Sequence, residues 1–206
     1  FELKDKEILE HLFNIFKDDK NTPVSELMVK VGTYFKKTPY KAATLEINPD
    51  DEKLVINLRE MDCTTFAENV LAISRTIKSG NPTFEEFAGE LQNIRYHDCK
   101  INGYTSRNHY FSDWIFENHR KGFVKSVSNE IAGTLYQKTI NFMSTHPESY
   151  LQLKDHPEMI KIIAEKENEI TSRKTYFIPK EKIGDIQSEL KAGDIVGITS
   201  RVDGLD

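Results

Sequence analysis

The sequence predicts an α+β domain, and three observations point to it. Apolar residues recur at helical spacing through most of the first half, and short runs of β-type residues bounded by glycine or proline punctuate the second. A composition of 38% hydrophobic and 10% aromatic residues supplies a packed core. The 206 residues fit one domain, taken as residues 1–206.

The elements follow in order. Ile8, Leu9, Leu12, Phe13 and Phe16 place a first helix. Thr22 as cap and Pro23 in the first turn open a second, whose buried stripe is Leu27, Met28, Val31 and Tyr34, and Pro39 ends it. Pro39 to Glu46, P-Y-K-A-A-T-L-E, is non-periodic and unusual enough in composition to suspect a site. Leu54 to Leu58 reads as a strand. A third helix begins at Asp62 or Cys63, turns Phe66, Val70, Ile73 and Ile77 to the core, and closes at Gly80. Thr83 with Glu86 makes a capping-box pattern for a fourth helix through Phe87, Leu91 and Ile94. From Tyr96 to Ser112 periodicity fails, and the segment is dense in Tyr, His, Arg and Asn, the side chains of recognition loops.

Asp113 to His119 reads as a short helix, and Phe123 to Val127 and Leu135 to Phe142 as strands. Pro157 to Lys166 is an amphipathic helix, Thr175 to Ile178 a strand, Lys182 to Leu190 a helical turn, and Asp194 to Thr199 a buried strand. Asp203-Gly204 is a strong hairpin signal, yet only Leu205 and Asp206 follow it. The natural polypeptide is therefore expected to continue past Asp206, and an opening at Phe1 without Met suggests a removed leader or linker.

Charge and cysteine content narrow the function. Lys+Arg of 28 against Asp+Glu of 33 gives a net charge of -5, without the basic footprint of a nucleic-acid binder. No apolar run approaches the roughly 18 residues of a membrane span. Two cysteines, Cys63 and Cys99, cannot make a disulfide framework, so each is judged by its neighbours.

Cys63 is the sharpest candidate. It opens a long helix, where unpaired N–H groups and the positive end of the dipole favour negative charge and are aimed to stabilise an oxyanion. The plain alternative is a small core residue, and Asp62 has its own as an ordinary N-cap. Glu68, five positions on, reads as a solvated or supporting carboxylate. A nucleophilic cysteine needs a base, normally histidine. Of His11, His97, His109, His119, His146 and His156, the pair flanking the aromatic loop, His97 and His109, fit best, although a histidine in such a loop more often binds ligand. Zinc is the rival chemistry: Cys63, His97, Asp98, Cys99 and His109 are possible ligands, but no C-x-x-C pair, H-E-x-x-H or repeated ligand spacing supports them. Glycoside hydrolysis needs only two carboxylates, which no pattern singles out.

Four ordered blocks then carry a resemblance: T-P-Y-K-A-A-T-L-E (Thr38 to Glu46), M-D-C-T-T-F-A-E-N-V-L-A-I (Met61 to Ile73), N-G-Y-T-S-R-N-H-Y-F-S-D-W-I (Asn102 to Ile115) and A-G-D-I-V-G-I-T-S (Ala192 to Ser200). Together they resemble the N-acetylmuramoyl-L-alanine amidase-like family, within the NlpC-type papain-like superfamily of cell-wall cysteine hydrolases. The resemblance implies a papain-like core in which Cys63, at the N-terminus of a central helix packed on a mostly antiparallel sheet, attacks the amide joining a muramic acid lactyl group to L-alanine. The substrates it implies are soluble muropeptides, the location is the periplasm or cell envelope, and no cofactor or metal is called for. It implies substrate-binding roles for Tyr40, Arg107, His109, Tyr110, Asp113 and Trp114, and supporting roles for Asp62 and Glu68. For Trp114, core packing is as well founded as contact. The family's base histidine and third triad member would lie after Gly204 to Asp206, so the chain as it stands is expected to lack general-base catalysis. The alternative reading is a muropeptide- or glycan-binding module without catalysis.

Overall fold

The structure, a computed structural model, describes residues 1–47 and 51–206. They divide into two compact units, Phe1–Ile101 with Ala192–Ile195, and Asn102–Lys191 with Val196–Asp206. Helices α1 (Leu3–Ile15), α2 (Val24–Tyr34), α3 (Cys63–Ser79) and α4 (Phe84–Arg95) build the first. The second holds α5 (Phe111–Arg120), α6 (Phe142–Thr145), α7 (Pro157–Ser172) and the strands β1 (Thr134–Tyr136) and β2 (Thr175–Phe177).

In the first unit α3 is the central element and packs between α2 and α4. Its boundaries are chemical. The Asp62 carboxylate accepts the Thr65 N–H at 2.8 Å while the Thr65 hydroxyl returns to the Asp62 N–H, a reciprocal cap, and Gly80 ends the helix at φ 90°, a left-handed conformation that glycine adopts without strain. Val70, Ile73 and Ile77 are buried as their spacing predicts, as are Leu27 and Val31 of α2 and Phe87, Leu91 and Ile94 of α4, whereas Phe66 is only half-buried. Pro23, not Thr22, is the N-cap of α2, because the Thr22 hydroxyl is donated to Asp19.

Leu54 to Leu58 is not a strand. Its backbone is bonded by side chains instead of a neighbouring chain: the Leu58 N–H donates to Asp5 at 2.9 Å, and the Val55 carbonyl accepts from Arg95 Nη1 at 2.6 Å. Ile56 and Leu58 are nonetheless core residues. Asp5 is fully buried and also takes the Arg59 Nε and Glu2 N–H, so one carboxylate ties α1 to the segment leading into α3. Asp5→Ala strands the Leu58 donor, and we expect a loss of about 1–3 kcal/mol in urea unfolding.

In the second unit a core of Tyr104, Tyr110, Ile140, Met143, Leu153, Ile163 and Ile170 forms around α7. β1 and β2 pair antiparallel, with Leu135 opposite Tyr176. Thr175–Phe177 thus lies in the expected strand, whereas Phe123 to Val127 is irregular and only Thr134–Tyr136 of the following stretch is in a named strand. α7 runs beyond the expected Lys166 to Ser172.

The sheet is the largest correction to the expected fold. The described residues form a helix-rich α+β structure whose one named sheet has two strands, and α3 packs on helices. Asp194 to Thr199 is in no strand, since no other described segment pairs with it, and Val196 and Ile198 are exposed. Gly204, at φ 79°, makes the expected turn. Its carbonyl accepts the N–H groups of Asn141 and Phe142, and an added Cβ would stand 2.5 Å from the Asn141 Oδ1. No described helix is long and apolar enough to cross a membrane.

Candidate active site

Cys63 is the first residue of α3 and is exposed. Asp62 occupies the Thr65 N–H, and the Phe66 N–H goes to the Asp62 carbonyl. Among the described residues, the N–H groups of Cys63 and Thr64 take no protein acceptor. Two unspent donors therefore sit at the positive end of a 17-residue helix beside a solvent-facing sulfur. That is the arrangement needed by an oxyanion formed when the sulfur adds to a carbonyl.

The thiol opens on a cavity of about 570 Å³. One wall is a face of α2, Met28, Val29, Gly32 and Thr33, continued by Phe35 and Lys36. The other comprises Thr38, Tyr40, Met61, Asp62, Cys63 and Phe66. At Gly32 α2 lies close to α3: an added Cβ would make an ordinary contact of 3.5 Å with the Phe66 ring. The Pro39-Tyr40-Lys41 segment is laced to the stretch of chain leading into Cys63 by a parallel bridge in which the Met61 N–H donates to the Pro39 carbonyl and the Lys41 N–H to the Met61 carbonyl, both at 3.1 Å. Lys41 pairs with Glu60 at 2.8 Å and closes the same seam. Tyr40 is consequently held on the backbone rung at Met61, two residues before Cys63, and is 73% exposed.

Tyr40, Asp62 and Cys63 thus line one cavity. Glu68 is elsewhere: it is buried and bonded to Arg95 Nε at 2.7 Å, each side chain 2% exposed. It is neither solvated nor lining the cavity. No histidine is among the cavity's lining residues.

Arg107, His109, Tyr110 and Asp113 gather in the second unit, with Ile163, Lys166 and Ile170, around a hollow of about 10 Å³, room for one water. Arg107 is buried over the Tyr104 ring. The Tyr110 hydroxyl donates to Glu167 at 2.6 Å and accepts the Met143 N–H at 3.0 Å. Burial and the Glu167 carboxylate together hold the phenol above its ordinary range. Asp113 pairs with Arg173, whose guanidinium lies over Phe116. Trp114, 2% exposed, stacks on Phe111, which settles it as a core residue of its unit. Among the described residues no group of three or more His, Cys, Asp or Glu is arranged to hold a metal ion.

His109 rests against the Tyr104 ring with Nε2 2.8 Å from the Tyr104 carbonyl. A carbonyl only accepts, so Nε2 carries the proton. Loss of solvation and then the Arg107 charge push its pKa down to about 3, and the ring stays neutral at physiological pH. An unfolded chain binds a proton below about pH 6.5 that the folded ring refuses, so this residue's contribution to stability is complete above that pH and is lost as pH falls toward 3. The expected slope is about 1.4 kcal/mol per pH unit across that window, and comparing denaturant midpoints of wild type and His109→Gln should show it flattened in the variant.

Residues 30–206 match the N-acetylmuramoyl-L-alanine amidase-like family. The chain belongs to that family. The amidase-like chain is also similar to a solved N-acetylmuramoyl-L-alanine amidase from Bacteroides uniformis, with 39% identity and a TM-score of 0.83, covering 89% of this chain and 77% of that one. A Bacteroides fragilis protein carrying a provisional xylanase name is 38% identical at a TM-score of 0.76, covering 86% and 77%. A Legionella pneumophila protein at 21% identity and a TM-score of 0.57, covering 89% and 65%, shares the fold alone. No curated protein matches the chain in sequence. These similarities support a peptidoglycan amidase-like function.

Sequence reasoning missed Asp5, Arg95 and the α2 wall. The α2 wall had a signal: Met28, Val29, Gly32 and Lys36 fall at i, i+1, i+4 and i+8, a second face to which Met28, expected in the buried stripe, belongs, while Tyr34 of that stripe is 40% exposed. Asp5 and Arg95 had none, because their partners lie 53 and 27 residues away.

Proposed function

We propose that the chain is the cysteine-dependent part of an amidase that hydrolyses the N-acetylmuramoyl-L-alanine bond of muropeptides. The observation that carries this reading is an exposed Cys63 at the start of α3, beside two uncommitted N–H groups and on a cavity of about 570 Å³. The sulfur adds to the lactyl carbonyl, and the Cys63 and Thr64 N–H groups take the oxyanion. The alanine amine leaves with a proton from a general acid, and water releases the acyl group from sulfur. Asp62 keeps the helix start rigid by its cap and so fixes the sulfur against those donors. Tyr40 supplies a ring face to the sugar or lactyl group. The proton donor and base is a histidine outside the residues that line the cavity, in a papain-like arrangement.

Arg107, His109, Tyr110, Asp113 and Trp114 are proposed to act through the loop they hold. Each is engaged with partners inside its own unit, so their part is to fix the Asn102 to Ser112 loop of that unit. Glu68 is proposed to support α3 through Arg95. The chemistry uses no cofactor, and the substrate class places the protein in the cell envelope, outside the cytoplasm.

Acid quenching of the full-length protein during steady turnover of an N-acetylmuramoyl peptide tests the covalent step. Intact mass is expected to rise by N-acetylmuramic acid less one water, and the added mass to map to the Cys63 peptide. Turnover with no such adduct at any quench time would remove the thioester from the mechanism.

A further inference from the structure

Lys36 is a lining residue of the Cys63 cavity that nothing above uses. It sits in the single helical turn after α2, exposed, and it is the one cation among the lining residues. The neighbouring lysines differ. Lys41 is spent on Glu60 at 2.8 Å and Lys30 on Asp19 at 2.6 Å, whereas Lys36 has no ion pair or hydrogen bond among the described residues. The wall around it is apolar: Met28, Val29 and Phe35. A lysine extends its stem along such a surface and offers the ammonium at its edge. Asp62 is the only acidic lining residue, and its carboxylate is engaged by Thr65. On a chain of net charge -5, an uncommitted ammonium beside the nucleophile is a local preference for anions.

We infer that Lys36 reads a free carboxylate on the leaving, peptide side of the substrate and thereby fixes which end of the substrate lies along α2. This rests on the amidase reading proposed above. In an N-acetylmuramoyl peptide the lactyl carboxyl is consumed in the scissile amide, so every remaining carboxylate of the substrate belongs to the peptide. A cation in the cavity can therefore pair only with the peptide half. The peptide lies along α2 toward Lys36, and the sugar lies toward Tyr40. The substrate class that follows is a muropeptide with a free stem carboxylate, over one whose carboxylates are amidated.

Two readouts at one thiol test this without requiring turnover. The first is the rate of Cys63 alkylation by anionic iodoacetate relative to neutral iodoacetamide, followed on the Cys63 peptide by mass so that Cys99 does not contribute. Lys36→Met is expected to lower that ratio about three- to tenfold, Lys36→Arg to keep it, and Lys37→Met, outside the cavity lining, to leave it unchanged. The second is protection of Cys63 from iodoacetamide by an N-acetylmuramoyl dipeptide with free carboxylates or with those groups as carboxamides. The free acid is expected to protect at several-fold lower concentration in the wild type, and the two forms to protect equally in Lys36→Met. An alkylation ratio unmoved by Lys36→Met overturns the inference, as does equal protection by acid and amide in the wild type. If Lys36→Met moves the ratio but neither muropeptide protects Cys63, the anion preference of Lys36 stands and the muropeptide reading fails.

Discussion

Cys63→Ala in the full-length protein is expected to lower amide cleavage by at least about 10⁴-fold while leaving the unfolding midpoint within about 0.5 kcal/mol of wild type. The two halves of that expectation have separate causes. In the proposed mechanism the sulfur forms the bond to the carbonyl carbon, so its removal eliminates the covalent path and leaves only what binding and the two N–H groups do for direct attack by water. Stability is spared because Cys63 is exposed and its thiol makes no hydrogen bond among the described residues, and because the helix start is held by Asp62 and Thr65, neither of which is altered. A variant that loses activity only because it unfolds would show the opposite combination. Assaying hydrolysis alongside circular dichroism and urea titration on the same preparation separates them.

Arg95→Ala is expected to cost about 3–5 kcal/mol, enough to threaten folding. The residue is buried, donates to Glu68 at 2.7 Å and to the Val55 carbonyl at 2.6 Å, and joins α4 to α3 and to the segment before it. Truncation leaves the Glu68 carboxylate charged in an apolar interior, and that uncompensated charge is the main cost. Replacing both partners by apolar residues, Glu68→Leu with Arg95→Met, removes the stranded charge and is expected to recover at least half of the loss. A double-mutant cycle by urea unfolding measures the coupling. If the double variant is no more stable than Arg95→Ala, the cost lies in packing or in Val55, and the buried pair is not what holds α3 to α4.

The contrast between Cys63 and Glu68 shows what the sequence could carry. Everything that fixes the start of α3 is local: Asp62, Cys63 and Thr65 lie within four residues, and Gly80 marks the end by its own backbone preference, so a reading by spacing finds the helix and the cysteine at its first position. The same reading leaves Glu68 between a solvated and a supporting carboxylate, because the partner that lets it be buried is on another helix. Leu54 to Leu58 fails for the same reason in reverse: its apolar run is β-like, but its hydrogen-bonding groups are met by Asp5 and Arg95 from distant parts of the chain. Asp194 to Thr199 has the composition of a strand, yet a strand exists only where another segment pairs with it. Tyr40 was legible as part of an odd motif, while its placement beside Cys63 depends on the bridge to Met61.

Central to this account is which bond is cut. The most direct measurement is the mass of the products formed when full-length protein acts on a defined disaccharide muropeptide in ¹⁸O-water. The expected pair is the intact disaccharide with one ¹⁸O in its lactyl carboxylate, and a peptide beginning with a free L-alanine amine. Cleavage between the two sugars, or within the stem peptide with the lactyl amide left intact, would contradict the account.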